Sequence, residues 1–324
     1  MASLSSSIDQ LEHTEAFARE VANGLSQERK FVPSRYLYDA LGSQLFEAIC
    51  ELPWYKITRS EQLLLEENAG DILRGLGSTP TLIELGVGCG DKLSTLLKSR
   101  CQVAEPVSVH LVDISPTALA LSSRMLDVHE AVEIATHLAT YQDGLKASFD
   151  QISRVGRAMV MFLGSNVGNM GKTEADEFLR DVWRVCRPGD RLLLGADLVK
   201  PARELLKAYN DPLGVTAAFN KNLLVRLNRE LDADFDLQTF DHRVVWNSEA
   251  GRVESYLVSR IEQLVCLREI DCCIRFSEGE SIWTENSYKY EAEEIVDMGR
   301  KTGFSLCEQW IDPGAPFALT LFEA

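Results

Sequence analysis

Predominantly apolar runs recur along the chain near residues 81–86, 107–113, 131–136, 157–163 and 191–197, with segments of helical spacing between them. Runs of this length suit strands buried on both faces. Their alternation with helices predicts a parallel sheet covered on both sides. A helix over 59–73 leads into the first run. The pattern changes after Lys200: 203–209 and 215–230 read as helices, and alternating segments at 241–247, 252–261, 267–276 and 281–290 read as antiparallel strands. Turns are expected at 248–251 and 277–279. A helix over 291–302 and two apolar runs, 304–311 and 317–323, follow. The organisation expected is α/β and has four parts. A lid or substrate segment spans 1–58, and a doubly wound sheet domain 59–199. An inserted mixed α+β substrate-recognition domain spans 200–290, and a helix with two strands over 291–324 completes the first sheet.

The first apolar run leads into TLIELGVGCGDK, residues 81–92. Leu82, Ile83 and Leu85 read as strand, Gly86, Gly88 and Gly90 as a sharp turn, and the segment from Asp91 as helix. Glycines let the backbone approach a ligand closely, because no Cβ intervenes. Strand, glycine turn and helix in that order hold a nucleotide-like ligand at the carboxyl end of a first strand. The next strand, VSVHLVDIS, ends in Asp113, where a carboxylate can accept both hydroxyls of a ribose. Two ligands fit, a dinucleotide and S-adenosylmethionine. The dinucleotide fingerprint needs a third glycine where this chain has Asp91, and Glu84 before the first glycine is typical of S-adenosylmethionine sites. The reading is a methyltransferase, against a dehydrogenase or a turn that only joins two elements.

Four further stretches carry polar or aromatic groups that packing alone does not require. FLGSNVGNM follows the fourth strand, so Asn169 faces the same end of the sheet and offers a donor and an acceptor; its alternative is a cap for the next helix. Tyr36, Tyr38 and Tyr55 lie in an aromatic-rich N-terminal segment, with lid packing as the alternative. Tyr209 precedes a turn in KAYNDPLGVTAAFN. In WTENSYKY, strand alternation puts Glu285 and Ser287 on one face and Asn286 on the other, against a plain solvated alternation.

Composition narrows the partners. The 324 residues carry a formal charge of −16 and a pI near 4.8, which disfavours nucleic-acid phosphates and anionic lipid. No apolar stretch reaches the roughly 18 residues that span a bilayer, and the first residues lack a signal-peptide pattern. A cytoplasmic protein, monomeric and acting on a small molecule, is expected. Eight cysteines show no C-x-x-C pair, so free thiols and no bound metal are expected.

The stretches YLYDALGSQLFEAICELPWY, LIELGVGCGDK, FLGSNVGN, LLLGADLVK, AYNDPLGVTAAFN and WTENSYKY together resemble the histidine-specific, S-adenosylmethionine-dependent N-methyltransferase family, from about residue 30 onward. The resemblance implies a class I methyltransferase (Rossmann-like) fold. It also implies successive methylation of the α-amine of L-histidine to the betaine hercynine, the first step of ergothioneine biosynthesis. Carried over residue by residue, it implies that Gly86, Gly88, Lys92 and Asp113 contact the methyl donor, with Tyr38, Thr140 and Tyr141 near it. Asn169 and Tyr209 would hold the substrate's amino and carboxylate groups, Tyr55 would lie beside the amine, and Glu285 and Ser287 would bond the two imidazole nitrogens. Asn169, Tyr55 and Tyr38 are thus the candidate catalytic residues. Where relatives carry Gly-Asp-Phe near the adenine, this chain has Ala139, Thr140 and Tyr141, and Asp143 is a possible substitute. Ser255 stands where a bulkier apolar residue is expected near the ring. The family also includes enzymes acting on other amino acids such as tryptophan, and a non-catalytic donor-binding subunit is the third reading.

Overall fold

The structure is a computed structural model that describes residues 15–99, 107–129, 131–152 and 156–324. The serine-rich first dozen residues and Cys101 lie outside the described residues. The chain forms two compact units. One takes the chain up to Tyr55 together with Ala202–Asn286; the other takes Lys56–Pro201 and Ser287–Ala324.

The first unit opens with α1 (residues 15–25) and α2 (Ala40–Cys50). Asp39 starts α2 by accepting the Gly42 N–H at 2.7 Å, an N-cap worth about 1 kcal/mol. The second unit then runs α3 (Ile57–Leu73), β1 (Thr81–Leu85), α4 (Asp91–Lys98), β2 (Val107–Asp113), α5 (Pro116–Leu126), β3 (Val132–Leu138), α6 (Tyr141–Gln151), β4 (Ala158–Phe162), α7 (Lys172–Val185) and β5 (Arg191–Asp197). Back in the first unit come α8 (Ala202–Tyr209), α9 (Val215–Glu230), β6 (Phe240–Asn247), β7 (Arg252–Ser259), β8 (Gln263–Leu267), β9 (Cys272–Phe276) and β10 (Ser281–Tyr288). The chain leaves β10 into the second unit and ends with α10 (Ala292–Thr302), β11 (Ser305–Ile311) and β12 (Phe317–Glu323).

The second unit holds a seven-stranded sheet of order β11-β12-β5-β4-β1-β2-β3. Strands β1 to β5 pair in parallel, and β12 runs antiparallel between β5 and β11. This is the class I methyltransferase sheet that the sequence pattern anticipates. Every residue of β1 and β4 is buried, as their mostly apolar runs require. Each fully buried Leu, Ile or Phe in them contributes roughly 1.5–3 kcal/mol relative to exposure. Successive strands are added in one direction from β1 through β3 and in the other from β4 to β5, so the winding switches between β1 and β4. In doubly wound sheets the ligand crevice opens at such a switch, outside the carboxyl ends of the strands. The two segments that leave there are the glycine turn and the 163–170 loop.

In the first unit β6 and β7 form an antiparallel pair, with β10 on the other edge of β7. The N-terminal segment is laid along β10: Val32 donates to the Trp283 carbonyl at 3.0 Å, and Trp283 to that of Lys30 at 2.9 Å. One expectation fails here. The single strand read over 267–276 is the turn and second strand of a hairpin, because a 3-10 turn at Arg268–Ile270 and a left-handed Asp271 (φ 48°) reverse the chain after β8. Aspartate tolerates that conformation better than most residues. The reversal sets Cys266 opposite Cys273 on β8 and β9, and the two form a disulfide. This corrects the expectation of free thiols throughout. Cys50, Cys89, Cys186, Cys272 and Cys307 are free. Among the described residues no helix is long and apolar enough to cross a membrane, and no cluster of three acidic, histidine or cysteine side chains is arranged to hold a metal.

Candidate active site

In the second unit β1 delivers Glu84 and the glycine turn to the switch point. The turn needs left-handed backbone at Gly86 (φ 79°), Gly88 (φ 55°) and Gly90 (φ 86°). At Gly86 a side chain is excluded twice over, since a Cβ would stand 2.7 Å from the Asn166 amide nitrogen and 3.1 Å from the Tyr141 hydroxyl. Gly90 then caps α4, whose second residue is Lys92.

Asp113 ends β2 against this turn. Its carboxylate accepts the Val87 N–H at 3.1 Å and the Ser115 N–H at 2.8 Å, which joins the two strand ends. Burial raises its pKa, and those N–H groups pull it back. The N–H groups of Gly88 and Ile114 face the same carboxylate. Tyr141 opens α6 with its ring edge-on to Phe162 at 5.0 Å. Thr140 caps the same helix: its hydroxyl accepts the Asp143 N–H at 3.3 Å and donates to the Asp143 carboxylate at 2.8 Å. The two side chains proposed for the adenine contact therefore already hold each other.

Glu84 is the least satisfied group of the unit. It is 1% exposed and neither carboxylate oxygen has a hydrogen-bond partner. Burial raises its pKa to about 8, opposed by Lys92. A buried, unpartnered carboxyl beside an open glycine turn fits a ligand that brings its own cation, such as an amino-acid ammonium.

After β4 the loop turns through Ser165 (φ 58°) into a 3-10 helix, Asn166–Asn169. Asn169 is its last residue and stays partly exposed. The helix-capping alternative does not hold, because the N-cap of α7 is Gly171, whose N–H is taken by Glu174 at 3.2 Å. Ser287, also in this unit, is buried and accepts a hydrogen bond from Lys289 at 2.7 Å. The Lys289 ammonium is fully buried against Asp197 at 2.9 Å, and Lys200 meets the other oxygen of Asp197 at 2.6 Å. Nothing in the local sequence marks Lys289 or Asp197, because their pairing depends on two strands distant along the chain.

The first unit gathers the aromatic candidates. The Tyr38 ring lies 5.4 Å from both Phe46 and Phe219, and Tyr55 lies 6.2 Å from Phe46 and 6.1 Å from Tyr209. Burial pushes the Tyr55 phenol well above its ordinary range, and Tyr209, Cys50, Tyr38 and Glu285 add to that. Tyr55 therefore keeps its proton at neutral pH. Asp211, downstream of Tyr209, gathers the N–H groups of Leu213, Val215 and Thr216 at the start of α9, so the turn that follows Tyr209 is fixed. Glu285 lies on β10, as expected. Ser255 is 1% exposed on β7. The structure thus sets Gly86, Gly88, Lys92, Asp113, Thr140, Tyr141, Asn169 and Ser287 in one unit, and Tyr38, Tyr55, Tyr209 and Glu285 in the other.

Residues 17–324 match the family described as histidine-specific methyltransferase, SAM-dependent, SAM being S-adenosylmethionine. The chain belongs to this family. It is similar to the histidine N-alpha-methyltransferase of Mycolicibacterium smegmatis, with 37% identity over 95% of this chain and 94% of that protein. The Mycobacterium tuberculosis protein of the same name is 36% identical over 94% of each chain. More distant is the L-tryptophan methyltransferase of Psilocybe serbica, 26% identical over 90% of this chain and 88% of that one. The fold and the relatives agree on a methyltransferase enzyme.

Proposed function

We propose that this methyltransferase transfers methyl groups from S-adenosylmethionine to the α-amine of L-histidine, stepwise to the trimethylated betaine hercynine, the first step of ergothioneine biosynthesis. The observation that carries the reading is near-full-length similarity to two histidine N-alpha-methyltransferases. The glycine turn and the unpartnered Glu84 of this chain accord with it.

The donor, when bound, supplies an electrophilic methyl on a sulfonium. The chain's own task is then orientation and proton removal. Asp113 accepts from the ribose hydroxyls, and Glu84 meets the ammonium of the donor's amino-acid end. Asn169 and Tyr209 hold the substrate amine and carboxylate so that the nitrogen lone pair points along the C–S bond. Orientation of this kind supplies about 7–11 kcal/mol of a barrier. The attacking amine must be neutral. Tyr55, held protonated, relays a hydrogen bond without taking the negative charge, and the proton leaves to water. The rings of Tyr38, Phe46 and Tyr55 offer faces that tolerate a quaternary ammonium, an attraction of about 0.5–2 kcal/mol per ring. Glu285 and Ser287 bond the imidazole nitrogens. Ser287 receives its hydrogen bond from the Lys289 ammonium, so its own hydroxyl proton is directed elsewhere.

A second reading, methylation of L-tryptophan, draws on the small Ser255 and on the Psilocybe relative. Incubation with S-adenosylmethionine and each amino acid, followed by mass spectrometry, decides between them. Histidine gaining three methyl groups is expected; faster turnover of tryptophan overturns the histidine assignment. Asp113→Ala tests the donor half. Loss of a charged acceptor should weaken S-adenosylhomocysteine binding by about 1.5–3 kcal/mol and leave histidine affinity much less affected. Calorimetry showing unchanged affinity for S-adenosylhomocysteine would remove Asp113 from the ribose.

A further inference from the structure

Glu61 lies on α3, in none of the segments that the donor reading uses, and it is fully buried. Both its oxygens face the Gly164 N–H, at 2.8 and 2.9 Å, and one also meets the Lys92 ammonium at 2.7 Å. A Cβ on Gly195 would stand 2.0 Å from the same carboxylate, so β5 approaches it at a position where only glycine fits. One side chain thus reaches the segments after β1 and β4, which flank the switch point, and the body of β5.

Core stability alone does not call for a carboxylate here. Apart from Ser60, the other buried residues of α3, among them Leu64, Leu65 and Ile72, are apolar. Replacing a buried ion pair by apolar residues of similar volume is often neutral or stabilising. What the carboxylate does is divide charge. Lys92 lies near two buried acids, Glu61 and Glu84; it is paired with Glu61, and Glu84 is left without a partner. We propose that Glu61 is a positioning residue of the donor site: by holding the Lys92 ammonium and the Gly164 amide, it keeps the Glu84 carboxylate available for the cationic end of the donor. The proposal rests on the reading that the donor occupies the turn after β1.

The charged groups around Glu84 are Lys92, Glu61, Asp113 and Asp91. Because Glu84 holds a proton up to pH about 8, a ligand ammonium that pairs with it must displace that proton. Donor affinity therefore rises with pH towards that value and then levels. In Glu61→Gln the Lys92 ammonium turns to Glu84, which stays ionised and occupied.

The test is calorimetric titration of the full chain with S-adenosylhomocysteine from about pH 6 to pH 9, with thermal melts in parallel. Wild-type affinity should climb from pH 6 to about pH 8 and level above it. Glu61→Gln should bind about tenfold more weakly at the alkaline end, the size of one lost charged hydrogen bond, and its pH slope should be flat. A variant that melts lower but keeps wild-type affinity and slope overturns the proposal, since Glu61 would then serve stability only. Glu84→Gln should also abolish the slope; a retained slope overturns the proposal even if Glu61→Gln does not accumulate as folded protein. A wild-type protein that does not bind S-adenosylhomocysteine refutes the donor reading itself, a result distinct from the other two.

Discussion

Asn169→Ala should lower kcat by about a hundredfold or more while leaving the fold and donor affinity close to wild type. The side chain closes the 3-10 helix after β4, at the carboxyl end of the sheet. It carries no capping duty, since Gly171 and Glu174 start α7 without it. Truncation therefore costs little stability, within about 0.5 kcal/mol as for an ordinary surface change. What it removes is an amide that can give and accept in one plane, the feature that aligns an amine and its carboxylate together. Misplacing the amine by an ångström costs turnover directly. Single-turnover kinetics with saturating donor would show the loss in the chemical step. A variant with near-normal kcat would take Asn169 out of the reaction.

Glu285→Ala should raise KM for histidine by about ten- to a hundredfold, the range expected for a lost hydrogen bond to a charged group. It should also narrow the preference for histidine over tryptophan. Sites that hydrogen-bond a substrate's polar atoms can reject analogues lacking them by about 10⁴-fold, because the site's own groups are left unpaired. Removing Glu285 removes that penalty. Affinity for S-adenosylhomocysteine should hold, since Glu285 is not in the unit that carries the glycine turn. Competition assays with both amino acids read this directly. Unchanged histidine kinetics in the variant would leave imidazole recognition without its carboxylate.

The elements that were legible from sequence are those whose information is local. Strands β1, β2, β4 and β5 announce themselves because burial on both faces demands mostly apolar runs. The glycine turn is legible because three close left-handed positions leave little chemical choice. The β8–β9 hairpin was not, since alternation over 267–276 continues through Asp271 without a Gly or Pro to mark the reversal. The disulfide was hidden with it, because Cys266 and Cys273 face one another only once that turn exists. Glu61 was illegible for a different reason. Its partners lie 31 and 103 positions away, so on α3 it reads as one more acid in a helix with several. Lys289 shares that fate, being defined by Asp197 on a distant strand.

The division of the first unit between two distant stretches of chain has a consequence for the order in which the protein takes shape. Asp39 receives Asn222 at 2.7 Å and Arg229 at 2.7 Å, and the Tyr36 carbonyl receives Arg226 at 3.0 Å. Lys30 pairs with Glu280, 250 positions later. None of these partners exists while the N-terminal segment is leaving the ribosome. Domains generally form as units during synthesis, and contacts of such long range carry a loop-closure cost that slows them. The sheet of the second unit waits as well, because β12, the last strand made, pairs with β5 and leaves it an unpaired edge until then. A nascent chain halted at residue 200 would carry the glycine turn, Asp113 and Asn169 on a sheet with an open side, and an aromatic N-terminal segment without Tyr209 and Phe219. Translation beyond residue 200 thus completes both units, and Tyr38 acquires Phe219, and Tyr55 acquires Tyr209, only after the donor loops have been made.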